Sequence, residues 1–149
     1  MMLRTHYAIA VFFILLFWPV IEHKLIFAIV ALVATQLPDI DSRYSRIGRK
    51  KLARIFQWFT RHRGMIHSFT FLLSITFILI LIFPVLGFGF FLGYGLHLLA
   101  DSFTIDGIRP FYPSKIKSWG NIRTGRKLES LVLFLFVLLS VVLFFIRIF

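Results

Sequence analysis

Residues 93–113 read GYGLHLLADSFTIDGIRPFYP, a stretch that carries ionisable side chains within an apolar run. His97 and Asp101 are four residues apart in an otherwise apolar run, so an α-helix would stack both side chains on one face. An imidazole and a carboxylate that face one point form half of a metal site. The alternative is an intrahelical hydrogen bond between the two side chains.

The composition is that of a membrane protein. Apolar residues make up 59% of the 149 residues and the mean hydropathy is +0.89, which is too high for a soluble domain. We therefore predict one all-α membrane domain over residues 1–149, with five transmembrane helices in one bundle. The apolar N-terminal run is predicted to be a retained first span because no small-residue cleavage site follows it. The predicted spans cover residues 5–21, 25–37, 66–83, 90–104 and 128–146, and residues 84–89 are predicted to form a tight turn.

The net charge of +11 is concentrated in two runs, with eight cations in residues 43–63 and six in residues 109–127. Both runs are short loops beside predicted spans, which predicts contact with anionic headgroups rather than with nucleic acid. Within the first run, residues 49–59 carry apolar side chains at helical spacing between cations and predict an amphipathic interfacial helix. Five spans would place the N-terminus and both basic runs on one side, and the positive-inside rule makes that side cytoplasmic. This predicts a multi-pass protein of the inner, or plasma, membrane.

The ionisable residues of every predicted span fall at this same cytoplasmic end, whereas His23 lies at the opposite end. Such residues are costly inside a membrane and are usually functional. Their shared depth therefore predicts a common metal site. Its candidate ligands are His6, Asp39, Asp41, His62, His67, His97 and Asp101.

Two further motifs supply several of these candidates. In LPDIDS, Asp39 and Asp41 would repel each other unless a cation lies between them, which could be a metal ion or a nearby arginine. In HRGMIHS, a turn at Gly64 would let His62 and His67 converge, although His62 could also be a solvated side chain at headgroup level. Because the chain has no cysteine, any metal must be held by nitrogen and oxygen.

Catalytic roles can be assigned to a few charged residues. Asp41 and Glu129 are the candidate general bases, although Glu129 could instead be a metal ligand or pair with Lys127. Arg63, and less directly Arg109, could hold a phosphate by bidentate contacts, or could simply anchor the chain at the interface.

The ordered motifs resemble a known family. His6 in an N-terminal span, LPDIDS, HRGMIHS, the 93–113 stretch and KLESLVLF are together similar to the YdjM-type, LexA-regulated family of inner-membrane metal-dependent hydrolases. One departure is Ser42, which stands where such proteins often carry a histidine. The ligand order also has a weaker analogy to zinc-dependent phospholipases C, which implies phosphoester substrates.

The sequence thus predicts a metal-dependent hydrolase, a phosphoesterase, that acts on an anionic phospholipid or a prenyl phosphate in the bilayer. Two or three divalent ions are expected, with zinc first and manganese or iron as alternatives. A metal transporter or metal-binding scaffold would use the same ligands without chemistry, although transporter sites usually lie nearer the bilayer midplane. An intramembrane protease is disfavoured because HExxH is missing and Ser68 beside His67 is the sole Ser/His candidate.

Overall fold

The computed structural model describes residues 1–41 and 65–148, apart from the side chains of Ile40, Asp41 and Ile148. This part of the chain is helical and contains no strand. Its five α-helices are α1 (Leu3–Phe17), α2 (Lys24–Gln36), α3 (Phe69–Ile82), α4 (Pro84–Ser102) and α5 (Lys127–Ile148). Two 3-10 helices, Trp18–Val20 and Leu37–Asp41, continue α1 and α2. The predicted all-α class is confirmed within the described ranges.

The predicted number of transmembrane helices is not confirmed. Three described segments are long and apolar enough to cross a membrane, namely Leu3–Val20, Pro84–Ser102 and Lys127–Arg147. Helices α2 and α3 have only 13 and 14 residues, whereas a helix needs about 20 to span the hydrocarbon. The predicted interfacial helix at 49–59 lies outside the described residues.

The predicted turn at residues 84–89 was wrong, because Pro84 begins α4. Proline is well placed in the first turn of a helix, where its missing N–H has no intrahelical partner. Helix α4 therefore starts six residues before the predicted start at residue 90, and Gly87 and Gly89 lie inside it. The two glycines were read as turn residues, but they are buried in the helix packing.

Helix α4 is the centre of the bundle, since α1, α2 and α3 all pack against it. The α2–α4 contact is close because Gly89 and Gly93, four residues apart, face the backbone of α2. A Cβ at Gly93 would overlap the Ala31 carbonyl, and one at Gly89 would lie 3.0 Å from the Phe27 carbonyl oxygen. Small residues at this spacing let helix backbones approach in membranes. This contact fixes the depth of α2 relative to α4.

Buried side chains form a core cluster where α3 packs on α4. Tyr94, Leu98 and Phe90 of α4 pack with Leu72 of α3 and with Ile108 from the loop that follows α4. Helix α5 packs mainly on α1, where the Phe12 and Phe136 rings meet edge to face at 5.5 Å. Most of the remaining surface of α5 is apolar and exposed, as expected of a helix that faces lipid.

Candidate metal centre

His97 lies at the middle of the candidate site and is completely buried. Its Nδ1 lies 2.8 Å from the carbonyl oxygen of Thr35 at the end of α2. A carbonyl only accepts, so Nδ1 carries the proton and donates it. The other nitrogen, Nε2, is buried and has no hydrogen-bond partner among the described residues. The Thr35 carbonyl therefore selects the tautomer whose free lone pair is on Nε2, which is how metal-binding histidines are usually oriented.

His6 and Asp101 face His97 from one side. The Asp101 carboxylate lies 3.4 Å from His6 Nε2 and 3.6 Å from His97 Nε2. The two imidazole rings are stacked, with centroids 3.9 Å apart and planes within 9° of parallel. Neither ring nitrogen of His6 has a hydrogen-bond partner among the residues described. The α-ammonium group of Met1 also contacts Asp101, so this carboxylate already attracts a cation.

Asp39 and His67 approach His97 from the other side. The Asp39 carboxylate lies 3.9 Å from His97 Nε2, and the His67 and His97 rings are 5.8 Å apart and steeply inclined. His67 is buried, while the Asp39 side chain retains a quarter of its exposure. The proline kink after α2 brings Asp39 to this position, because Leu37–Asp41 turns as a 3-10 helix. Asp39 therefore lies at the open side of the cluster.

These contacts define two groups that could each hold an ion, His6–His97–Asp101 and Asp39–His67–His97. In each group the ligand atoms all lie within 4.8 Å of one another. Both groups depend on the single free lone pair of His97 Nε2, because Nδ1 donates to Thr35. One imidazole lone pair binds one ion, so His97 can serve an ion in only one of the two groups at a time. The expected number of two or three ions stays a prediction.

Glu129 is buried at the start of α5 but lies outside both ligand groups. Its Oε1 accepts hydrogen bonds from the Met2 amide and, at 3.0 Å, from the Thr5 hydroxyl, and its Oε2 accepts one from the Gly125 amide. The carboxylate thus satisfies the Met2 amide at the N-cap of α1, which has no partner within the helix, and the Thr5 hydroxyl in the first turn. The geometry gives Glu129 the role of joining α5 to the start of α1, beside His6. Its predicted role as a base stays a prediction.

Several predicted site residues cannot be placed in this cluster. His62, Arg63 and Ser42 lie outside the described residues, and only the backbone of Asp41 is described. Arg109 is exposed on the loop after α4. His23 lies at the opposite end of the bundle, where its ring is 5.3 Å from that of Phe83.

Three residues that position the site were not singled out from the sequence. They are Thr35, which accepts from His97; Thr5, which donates to Glu129; and Tyr94, whose hydroxyl donates to the Ile66 carbonyl at 2.6 Å, next to His67. The Thr35 contact uses a backbone oxygen, for which the side-chain sequence carries no signal. Tyr94 did carry a signal, because it lies three residues before His97 on the same face of α4.

Comparison with known proteins gives a family and a distant relative. The family model described as YdjM inner membrane protein matches residues 1–148. The chain is 34% identical to the "Uncharacterized protein YvsG" of Bacillus subtilis (strain 168) over 107 residues, which cover 68% of this chain and 67% of the relative. No solved structure gives a significant match.

Proposed function

The chain belongs to the YdjM inner membrane protein family, and we propose that it is a membrane-embedded metal-dependent hydrolase of lipid phosphoesters. The observation that carries this proposal is the group of buried, unpartnered imidazole nitrogens of His6 and His97 beside two carboxylates. Leaving such nitrogens buried without a partner costs about 1–3 kcal/mol each. A divalent cation would satisfy them, and the mixture of imidazole and carboxylate suits zinc, with manganese or iron as alternatives.

The ligands proposed from the described residues are His6, His67, His97, Asp39 and Asp101. They come from four different segments of the chain, so binding an ion would also fasten the segments together. Asp41 and His62 remain proposed ligands, as do the catalytic roles of Asp41, Arg63 and Glu129. For Glu129, the three hydrogen bonds that its carboxylate accepts favour the role of joining α5 to the start of α1.

The chemistry follows from the position of these groups. When bound, a divalent ion would activate a water molecule and polarise a phosphoryl oxygen. Among the ligands whose side chains the structure describes, Asp39 has the most exposed side chain, so a substrate headgroup and water would reach the cluster on its side. Its carboxylate can accept the proton of an attacking water on that side. The buried Asp101 and His6 would stay fixed behind the reacting atoms.

We further propose that α2 and α3 complete a five-helix membrane bundle with the metal centre at its cytoplasmic end. The 3-10 helix Leu37–Asp41 extends the short helix α2 at this end. In the sequence, the basic runs 43–63 and 109–127 adjoin the segments that carry the proposed ligands, and the positive-inside rule would place these runs in the cytoplasm. The substrates that fit are anionic phospholipids or prenyl phosphates, whose phosphates lie at that depth.

The decisive experiment measures metal and turnover in the same preparations. Wild type, His97→Ala, Asp39→Ala and the control His23→Ala would be purified in detergent and analysed for zinc, manganese and iron. We expect bound metal in wild type and His23→Ala, and much less in His97→Ala. The metal-loaded wild type should release phosphate from phosphatidic acid or a prenyl phosphate, and Asp39→Ala should not. Equal metal in all four proteins would contradict the metal centre.

A metal transporter or scaffold remains the second candidate because it needs the same ligands. The position of the ligands at one end of the bundle disfavours it, since transporter sites usually lie near the bilayer midplane. Zinc uptake into proteoliposomes, with bound metal but without hydrolysis of any lipid phosphate, would favour this candidate over the enzyme.

A further inference from the structure

The loop between α4 and α5, residues 103–126, is ordered by backbone hydrogen bonds although it contains no strand or helix. Isolated bridges join Thr104 to Ile122 and Ile108 to Ser118. The second bridge has two hydrogen bonds of 2.9 Å, and it closes a turn of residues 109–117. Ser118 and the adjacent Trp119 follow this turn, and residues 109–119 together are called the tip. The base of this tip is fixed in the protein because the Ile108 side chain is buried in the α3–α4 core.

The tip is also attached next to the metal centre. The Pro110 carbonyl accepts a hydrogen bond of 2.8 Å from the Phe69 amide at the start of α3, two residues after His67. The tip therefore has a defined position at the end of the bundle that carries the site. It is not a free linker whose side chains sample every direction.

The side chains of this ordered tip are unusual for a loop in water. Phe111, Ile116 and Trp119 are 61%, 67% and 67% exposed, and Tyr112 is exposed as well. Exposed lysines alternate with them at positions 115 and 117, and Arg109 is exposed at the start of the tip. The whole loop has five lysines and arginines against the single acid Asp106. Aromatic and aliphatic side chains mixed with cations are typical of segments that lie in the headgroup region of a membrane.

The backbone limits where this tip can be. Irregular backbone is not tolerated in the hydrocarbon, because its polar groups would lack partners there. The tip must then lie at the interface or in water, and the exposed aromatic side chains favour the interface. The excess of positive charge favours anionic over neutral lipid headgroups, since each lysine or arginine near a membrane surface adds roughly a five-fold preference for an anionic surface.

We propose that the 109–119 tip is an interfacial lipid-binding surface, which inserts Phe111, Ile116 and Trp119 among the headgroups and concentrates anionic phospholipid beside the metal centre. The surface binds lipid whether or not the centre hydrolyses it, so this proposal does not depend on the proposed activity. Its occupant is the bilayer in which the protein is embedded. A cytosolic protein partner would need the same side chains to be exposed to water.

The test uses Trp119 as the reporter in the full-length protein. The variant Trp18→Phe/Trp58→Phe keeps Trp119 as its only tryptophan. It would be reconstituted in nanodiscs of phosphatidylcholine and phosphatidylglycerol, in which either lipid carries bromine near the headgroup. We expect low quenching by aqueous iodide, and several-fold stronger quenching by brominated phosphatidylglycerol than by the same amount of brominated phosphatidylcholine.

Two controls make the result specific. The variant Trp58→Phe/Trp119→Phe reports from Trp18, in the 3-10 helix at the opposite end of the bundle, and its quenching should be nearly the same with both lipids. Adding Lys115→Gln and Lys117→Gln to the Trp119 reporter leaves Arg109 as the remaining cation of the tip and should lower its quenching ratio several-fold towards one. Full iodide access to Trp119, or equal quenching by the two lipids, would overturn the proposal. Phosphate-release activity does not enter this measurement.

Discussion

Replacing Gly93 by alanine tests the packing that sets the position of His97. An added Cβ would overlap the carbonyl group of Ala31, and backbone cannot rotate away as a side chain can. Overpacking of this kind typically costs about 1–3 kcal/mol. Alanine also gains about 1 kcal/mol of helix propensity over glycine, which partly hides the cost.

Gly95→Ala is the matched control, two residues further along the same helix. Its Cβ would meet only the Leu72 Cδ2 atom, at 3.3 Å, and the end of a leucine side chain can move by a few tenths of an ångström. Both variants gain the same helix propensity, so the difference between them isolates the overlap with α2. We expect Gly93→Ala to have a free energy of unfolding about 1–3 kcal/mol lower than that of Gly95→Ala.

The assay is reversible unfolding in mixed detergent micelles, followed by circular dichroism, with metal content measured on the same samples. Separation of α2 from α4 would also lengthen the contact between the Thr35 carbonyl and His97 Nδ1, now 2.8 Å. Gly93→Ala should therefore bind less metal than Gly95→Ala. If the two variants are equally stable and hold equal metal, the close α2–α4 contact does not position the centre as described.

Three further predictions test single contacts. Thr35→Val removes the hydroxyl that donates to the Ala31 carbonyl at 2.8 Å but keeps the Thr35 backbone carbonyl. The free energy of unfolding should therefore fall by about 1 kcal/mol, read as a lower melting temperature, while metal content is retained. Glu129→Gln replaces one carboxylate oxygen with an NH2 group that only donates, so either the Met2 N–H or the Gly125 N–H loses its acceptor, and we expect a loss of about 1–3 kcal/mol by the same melting assay. Zinc at a hundred-fold excess over its Kd should stabilise wild type by about 2.7 kcal/mol and leave His97→Ala unchanged, as read by the shift in melting temperature. Equal shifts in both proteins would show that zinc acts elsewhere.

The helical class and the family could be predicted from the sequence because they depend on features that are local along the chain. Long uncharged runs indicate helices in a membrane, and the spacing of His97 and Asp101 indicates one helix face. The match over residues 1–148 confirms the family. The sequence also placed the ionisable residues of different segments at one end, and in the structure His6, Asp39, His67, His97 and Asp101 lie together there.

The errors came from tertiary context. Pro84, Gly87 and Gly89 have the composition of a turn, yet the proline starts a helix and Gly89 is where α2 approaches α4. The prediction of five spans is not confirmed rather than wrong, since three described segments are long enough to span and the lengths of α2 and α3 depend on where Pro38 ends and Ser68 begins a helix. Ser68 begins α3 because its hydroxyl accepts from the Phe71 amide.

The partners of individual side chains were the least predictable part of the site. The tautomer of His97 is selected by a backbone carbonyl 62 residues away in sequence. Glu129 looked like a site residue by depth alone, but its carboxylate accepts hydrogen bonds from the start of α1 and from the Gly125 amide. Depth in the membrane is readable from hydropathy, whereas the direction of a side chain depends on helix rotation.

The central place of α4 also has a consequence for biosynthesis. Helix α3 packs on α4 and has no comparable interface with another helix in the described ranges, and α5, the last of the described helices, returns to α1, the first. A nascent chain that ends after α3 therefore has neither His97 nor Asp101, and its α3 lacks the helix on which it packs. Both candidate ligand groups are complete only after α4 has been made, because both include His97. A product truncated before α4 would also leave uncovered the face of α2 that packs against Gly89 and Gly93.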